Sequence, residues 1–509
     1  MSSVASAGIA KRLHALDLPV RHADDMFIDG TWVRAESLER RSVIDPATAQ
    51  EWGSVPVGDR ADLDAAVGSA RQAFDRGPWP RLTPSERAAV LRRAADRLEL
   101  LAEPISLTNT LENGTPVADS GGAAANAASI FRYFASIAPL LESDDVRPAP
   151  SGTHETVVRR DPVGVCALIA PWNFPINLVV VKLAPALLAG CTVVIKPASL
   201  TPLSVRFIIQ ALTEAGIPDG VVNLVTGSGS LGDELVRHPG IDKVAFTGST
   251  EVGRSIARQC GELLRPVTLE LGGKSSAIVL PDADMATLRA VLIRSSLRNT
   301  GQTCYISTRI LVPDARHDEV VDAIVQTVGA AVQGDPLDPA TVFGPMASAA
   351  QRSSVLAHIA SAREQGAQVA LGGSAATLPA PFDAGYFVEP TVLTRVTPEM
   401  DVAREEIFGP VLTVLRYSEV DEAIAMTNAT EFGLGGIVFG ADTREALRVA
   451  DRVDSGSVGI NFFASNHAAP FGGRRDSGLG VEYGPEGLHA YLTYKSIHRR
   501  ASTTGRDPA

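Results

Sequence analysis

Between Val163 and Val267 short apolar runs alternate with helical stretches, and this alternation limits the fold more than any other feature of the chain. The runs Val163 to Ala170, Thr192 to Ile195, Val221 to Val225 and Lys243 to Phe246 are separated by stretches such as Leu203 to Ala215. Strands spaced by helices are the mark of βαβ units and a parallel sheet. A second α/β region is read from about Ser275 to Pro470. Upstream, Thr83-Pro84-Ser85-Glu86 has capping-box spacing with proline at the first helical position. Val90, Leu91, Ala94, Leu98 and Leu101 then mark one helical face. No internal repeat is visible.

Bulk properties exclude several classes of partner. A chain of 509 residues can bury several cores, and 45% hydrophobic with 20% charged residues is ordinary for a globular protein. The net charge of −12 repels polynucleotides and anionic membranes on average, so no nucleic-acid partner is expected. The four cysteines, Cys166, Cys191, Cys260 and Cys304, show no Cys-x-x-Cys spacing, which argues for free thiols in a reducing compartment. The first three are read as structural. The nine histidines form no ligand cluster, and no metal is expected. His467 precedes Pro470 in a loop and is read as solvated, turn-bonded or pocket-lining. The first twenty residues lack a signal-peptide core, and no run of about 18 apolar residues is present for a membrane span, so the cytoplasm is the expected compartment.

Two glycine-containing loops are candidates for a phosphate. Gly227-Ser228-Gly229-Ser230-Leu231-Gly232 has the Rossmann letter pattern after a strand-like run, but a lone match is a weak signal and a turn needs only its glycines. Gly248-Ser249-Thr250-Glu251-Val252-Gly253 is the better candidate. It follows the strand ending at Phe246 and opens a helix read as Val252 to Cys260, which places Ser249 and free amides at a helix N-terminus.

One cysteine has the setting of a nucleophile. Cys304 ends Asn299-Thr300-Gly301-Gln302-Thr303-Cys304, and Glu270 of Leu269-Glu270-Leu271-Gly272-Gly273-Lys274 lies 34 residues upstream (304 − 270). A thiol attacks only as thiolate and needs an activating partner, for which Glu270 is the candidate. The alternative is a small buried hydrophobe, and spacing alone does not decide. Pro171-Trp172-Asn173-Phe174-Pro175 adds a turn in which the Asn173 amide is fixed. It can donate to an oxyanion, or bond its own turn backbone.

Together these residues resemble the aldehyde dehydrogenase superfamily. The resemblance is carried by seven runs in order: Pro171 to Pro175, Ile195-Lys196-Pro197, Phe246 to Gly253, Leu269 to Lys274, Gly301 to Cys304, Glu405-Glu406-Ile407-Phe408-Gly409-Pro410-Val411, and Pro470-Phe471-Gly472-Gly473 with Ser477-Gly478. It extends from about Met26 to Ile497. It implies the α/β aldehyde dehydrogenase fold: a Rossmann-like dinucleotide-binding domain over 26–143 and 163–274, an α/β catalytic domain over 275–487, and a small β oligomerisation flap over 144–162 and 488–500. Residues 1–25 are read as a leader and 501–509 as a tail. The flap implies a homodimer or homotetramer, whose subunits would pair exposed strand edges near Gly152 to Asp161 and Leu492 to Ile497.

The resemblance also implies roles. Cys304 adds to the aldehyde, and the Asn173 amide and the Cys304 backbone N–H hold the oxyanion. Hydride passes to NAD or NADP, and Glu270 activates water to hydrolyse the thioester. Trp172, Lys196, Ser199, Gly229, Gly248, Ser249, Gly253, Glu406 and Phe408 fall at cofactor positions. Many NAD-preferring relatives carry glutamate where Ser199 stands, so NADP is expected to be accepted, with Lys196 and Ser199 near the 2′ position. Phe174, Leu178, Val181, Tyr305, Phe462 and Phe463 fall at pocket walls and suit a hydrophobic aldehyde. Arg298, six residues before Cys304, matches a carboxylate-binding arginine of semialdehyde dehydrogenases. Val181 stands where those enzymes carry a second arginine, and a structural ion pair is the expected role for Arg298. The other readings are a carboxylate-bearing semialdehyde substrate, a crystallin-like structural protein, and a thiol esterase without a dinucleotide. The first would act through Arg298; the second would be expected to lose Cys304, Glu270 or Asn173, and the third has no need of Ser249, Lys196 or Glu406.

Overall fold

Five parallel strands form the centre of an eight-stranded sheet, in the spatial order Val222–Leu224, Thr192–Lys196, Val165–Ile169, Lys243–Thr247 and Val267–Glu270. The computed structural model describes residue 20, residues 22–37 and residues 39–500. The tail expected over 501–509 and most of the leader expected over 1–25 lie outside the described residues. Val165–Ile169 is buried throughout and alternates faces. Cys166 and Leu168 join one apolar cluster, while Val165, Ala167 and Ile169 join another on the opposite side. Burial on both faces is why these strands read as unbroken apolar runs.

The order of these strands creates a crevice. Val165–Ile169, first of the five in the chain, sits between Thr192–Lys196 and Lys243–Thr247, so the sheet order reverses beside it. Ligands of doubly wound sheets bind beyond the carboxyl ends of the strands at such a reversal. The segments that leave those ends are 170–174, 197–199 and 248–250.

A seven-stranded sheet carries the second region. Thr391–Thr394, Val411–Tyr417, Arg309–Pro313, Ser276–Val279, Gly436–Phe439 and Gly459–Ile460 run parallel, and Gln368–Leu371 is antiparallel at one edge. The chain returns to the first sheet at Gly478–Leu479, which pairs with Val267–Glu270 inside the span read as catalytic. A third sheet is antiparallel: Leu492–Arg500 pairs with His154–Pro162 from Leu492↔Pro162 to Arg500↔His154, and Asp145–Pro148 lies on the other side.

Helix boundaries moved where buried side chains intervene. The helix expected over Leu203 to Ala215 is Arg206–Glu214, because the Glu112 carboxylate accepts the backbone N–H groups of Leu203 and Ser204 and holds them in a turn. The helix read as Val252 to Cys260 is Thr250–Glu262, capped by the Ser249 hydroxyl. The helix Pro84–Leu100 has the expected Thr83 and Glu86 capping box. Among the described residues no helix is long and apolar enough to cross a membrane, and no three His, Cys, Asp or Glu side chains stand together as a metal would require.

Candidate active site

The loop that presents Cys304 is strained. Asn299, Thr300 and Gly301 have φ of 52°, 54° and 76°, three successive left-handed residues of which only the glycine adopts that region freely. Each is tied down. The Asn299 N–H donates to Asp119 Oδ2 at 3.2 Å, the Thr300 hydroxyl accepts the Gly344 N–H at 2.9 Å, and the Gly301 N–H donates to the Leu297 carbonyl at 3.0 Å. A Cβ on Gly301 would collide with the Gly409 carbonyl, so the Glu405 to Val411 segment packs directly on this turn. Gln302 braces it further, donating to the Asn299 carbonyl and accepting the Ala347 N–H at 2.9 Å. Strain held by so many partners is the pattern of a preorganised site.

The turn before the helix Pro175–Ala189 is fixed from behind. Asn113 Nδ2 donates to the carbonyls of Trp172 and Asn173 at 2.9 and 3.3 Å, and Asn299 Nδ2 donates to the Asn173 carbonyl at 3.2 Å. The Asn173 side chain is 3% exposed, its Nδ2 donating to the Gln302 carbonyl at 3.1 Å. The amide expected to serve an oxyanion is thus anchored on the Cys304 loop itself.

These two segments stand between two cavities. Pro171, Trp172, Asn173, Thr247, Gly248, Ser249, Gly272, Cys304, Glu406 and Phe408 line a cleft of about 240 Å³. The next residues along both segments face the other way: Phe174 to Leu178 and Tyr305 line a larger cavity of about 440 Å³, with Phe463, Arg298, Asp119 and Tyr483. A molecule in each cavity would meet the wall that holds the sulfur from opposite sides.

Burial sets the electrostatics. The Cys304 thiol is pushed well up from its ordinary range by burial first and then by the carboxylates of Glu406 and Glu270, against which the backbone N–H groups of Cys304 and Tyr305 act only in part. Charge from Glu270 therefore opposes a thiolate, and Glu270 can help the sulfur only by taking a proton. Its own carboxyl is 4% exposed and lines neither cavity, without a hydrogen-bond partner for either oxygen among the described residues. Burial and Glu482 push its pKa well up, and Lys182 counters them. Lys182 and Glu482 form a buried pair at 2.6 Å, and Lys182 also donates to Thr247 Oγ1 at 2.5 Å. Burial brings Glu406 up to about 7, held down in part by the Gly273 N–H, which donates to it at 3.0 Å.

A profile of the Aldehyde dehydrogenase family matches residues 32–497. The chain belongs to the aldehyde dehydrogenase family. It is 48% identical over 475 residues to geranial dehydrogenase of Castellaniella defragrans, covering 93% of this chain and 98% of that one. Its fold superposes on an NAD+ complex of an aldehyde dehydrogenase from Mycobacterium tuberculosis with a TM-score of 0.90, at 40% identity over 93% of this chain and 97% of the other. It also superposes on a mutant aldehyde dehydrogenase from Pseudomonas syringae bound to NAD+ and octanal, with a TM-score of 0.89 at 39% identity over 94% and 96% of the two chains. The protein is an NAD(P)-dependent aldehyde dehydrogenase that oxidises an aldehyde to the acid.

The cleft of this aldehyde dehydrogenase suits a dinucleotide. Ser249 caps the thirteen-residue helix Thr250–Glu262, so first-turn amides open onto the cleft. Trp172 and Phe408 pack edge to face in its wall, 5.3 Å between ring centres. Other expected cofactor residues are placed differently. Lys196 is buried at the end of its strand, its Nζ 3.4 Å from the Pro197 carbonyl, and burial and Arg41 lower its pKa to about 8. The Ser199 hydroxyl donates to the Gly227 carbonyl at 2.9 Å and lines a small recess with Arg41, Thr226 and Gly227. Gly253 lines neither of the two cavities; it lets the helix pack on Leu271. Gly229 opens the helix Gly229–Arg237, lining neither cavity.

The aldehyde side departs further from expectation. Phe174, Leu178, Tyr305 and Phe463 line the larger cavity, but Val181 is 1% exposed within the core, and Phe462 is 62% exposed and lines neither space. Val181 belongs to the apolar cluster behind the cavity, and Phe462 points to solvent. The lining is also more polar than six aromatic and aliphatic residues suggested, since Asn109, Asp119, Asn126 and Asn177 contribute. One signal pointed there: the helix Ala102–Asn113 buries Thr108, Asn109, Thr110, Glu112 and Asn113, and buried polar side chains must find partners. His467 stacks on Tyr483 at 5.1 Å, with Nε2 3.2 Å from Asn126 Oδ1, and so backs the wall.

Proposed function

We propose that the substrate is an uncharged, hydrophobic aldehyde, oxidised through a Cys304 thiohemiacetal and thioester. The observation that carries this reading is the wall of the larger cavity nearest Cys304, where Tyr305 stacks on Phe463 at 5.0 Å and Phe174 faces Arg298. Two relatives support it, since geranial and octanal are neutral aldehydes on hydrocarbon chains, whereas more distant relatives are named for charged aldehydes. A carboxylate-bearing aldehyde would have to compete with Asp119 for Arg298.

Cys304 adds to the carbonyl carbon as its proton passes to a base. The developing oxyanion accepts hydrogen bonds from Asn173 Nδ2 and the Cys304 N–H, Asn173 giving up its bond to Gln302. A bound nicotinamide supplies the hydride acceptor that turns the adduct into a thioester. Glu270 then takes a proton from water, which attacks the thioester, releases the acid and restores the thiol. Trp172, Ser249, Glu406 and Phe408 hold the cofactor in the cleft.

NADP is accepted as well as NAD in this reading. Support comes from Ser199 in place of an acidic residue, from Lys196, and from Arg41, which shares the Ser199 recess and has no hydrogen-bond or ion-pair partner among the described residues. We also infer a cytoplasmic homodimer or homotetramer built through the three-stranded sheet. In support, Leu492–Arg500 leaves one long edge unpaired, with Tyr494 and Ile497 exposed. Absorbance at 340 nm with an aldehyde panel and both dinucleotides tests the substrate and cofactor readings. Medium-chain neutral aldehydes should exceed carboxylate-bearing ones in kcat/KM by at least about tenfold, or about 1.4 kcal/mol. The reverse order overturns the substrate assignment, and failure of NADP at every concentration overturns the cofactor assignment.

A further inference from the structure

Two charged side chains, Arg298 and Asp119, face each other in the larger cavity. Arg298 Nη1 donates to the Tyr305 hydroxyl at 2.7 Å, and the guanidinium lies over the Phe174 ring at 5.1 Å. Its Nε stands 3.7 Å from Asp119 Oδ1, near enough for charge to be compensated and too far for a hydrogen bond. Asp119, on the short helix Val117–Ser120, thus leaves the two-pronged face of the guanidinium without the paired hydrogen bonds a carboxylate normally makes with arginine. Its other oxygen takes the Asn299 N–H of the nucleophile loop at 3.2 Å, which fixes the carboxylate in place.

We propose that Asp119 is a specificity-determining residue: it occupies, as a built-in counter-ion, the place a substrate carboxylate would take on Arg298, and so keeps the cavity selective for uncharged aldehydes. The proposal rests on the reading that the larger cavity receives the aldehyde. An aldehyde ending in a carboxylate meets Asp119 within a few ångströms of the Arg298 guanidinium that would attract it, in a partly desolvated space where like charges repel strongly. Arg294, the other guanidinium of the lining, is on an exposed position of the helix Met285–Ser296. Removing the charge of Asp119 frees Arg298 to bind a carboxylate, and removing that of Arg298 leaves Asp119 to favour a cation.

The test compares substrates of equal length. In D119N the amide oxygen still accepts the Asn299 N–H while the charge is gone. The ratio of kcat/KM for 5-oxopentanoate over pentanal is expected to rise by about tenfold or more, chiefly through KM, which corresponds to about 1.4 kcal/mol. Adding R298Q should abolish the gain and adding R294Q should retain it. As an arm independent of D119N folding, R298Q alone should raise the ratio for 4-(trimethylammonio)butanal over its uncharged isostere 5,5-dimethylhexanal several-fold. An unchanged ratio in D119N with pentanal still oxidised, a gain that survives R298Q, or an unchanged cation ratio in R298Q overturns the proposal. Wild-type enzyme that turns over 5-oxopentanoate but not pentanal would instead overturn the neutral-substrate reading beneath it.

Discussion

Cys304, the proposed nucleophile, has resting surroundings that disfavour its thiolate. Its thiol lines the cleft and is therefore reachable, yet burial and two carboxylates raise its pKa. Below a raised pKa the thiolate fraction grows about tenfold per pH unit. Alkylation by iodoacetamide in the absence of dinucleotide is therefore expected to be slow at neutral pH. Its rate should climb through the alkaline range without levelling near the ordinary cysteine pKa, as the rate of inactivation against pH will show. Glu270 belongs to the same scale. Buried and pushed up in pKa, it gives up its proton only as pH rises, so with Glu270 as the proposed base deacylation should share the alkaline rise. E270Q should give one burst of NAD(P)H in stopped flow followed by stalled turnover; steady hydrolysis at the wild-type rate would remove it as the base. At this scale the sequence was informative about placement, because Cys304, Asn173, Ser249, Glu406 and Phe408, each read from a short run, come together on one cleft. Val181 and Phe462 were misplaced because position along a helix or loop does not report depth.

The elements that hold these residues were legible in kind and less so in extent. Full burial made the parallel strands readable, and the Thr83 and Ser249 caps marked helix starts. The start at Arg206 depended on Glu112, a residue of another helix, and no local pattern encodes that. The nucleophile loop is the element on which most converges, since its left-handed turn is wedged against Gly409. G301A should cost about 1–2 kcal/mol in backbone conformation alone and a further penalty from the collision. A displacement of the sulfur of about 1 Å would lower kcat on the order of 10²-fold. A lowered melting temperature together with that loss is the expected result, and wild-type kinetics in G301A would show that the turn does not position Cys304.

Across the whole molecule, partners that lie far apart in the chain were the part least visible beforehand. Lys182 and Glu482 are 300 residues apart yet form a buried pair beside Glu270, and Asp119 reaches a loop 180 residues away. Patterns of spacing reveal faces of elements, whereas pairings of this kind exist only after the sheets have assembled. The third sheet is a further long-range product, joining 154–162 to 492–500. Ending the chain after Leu492 would strip that sheet of its long edge strand, and with the proposed oligomer built through it light scattering should then report a smaller mass; an unchanged mass would overturn that assignment.

The back-to-back arrangement of neighbouring residues, Asn173 against Phe174 and Cys304 against Tyr305, has a kinetic corollary. With the aldehyde in the larger cavity and the dinucleotide in the cleft, as proposed, neither would have to pass the other on the way in. An unreactive alkanol lodged on the aromatic side should raise the apparent KM for aldehyde while lowering only the maximal velocity when the dinucleotide is varied, and the intersecting lines of such an experiment would report two separate doors to one sulfur atom.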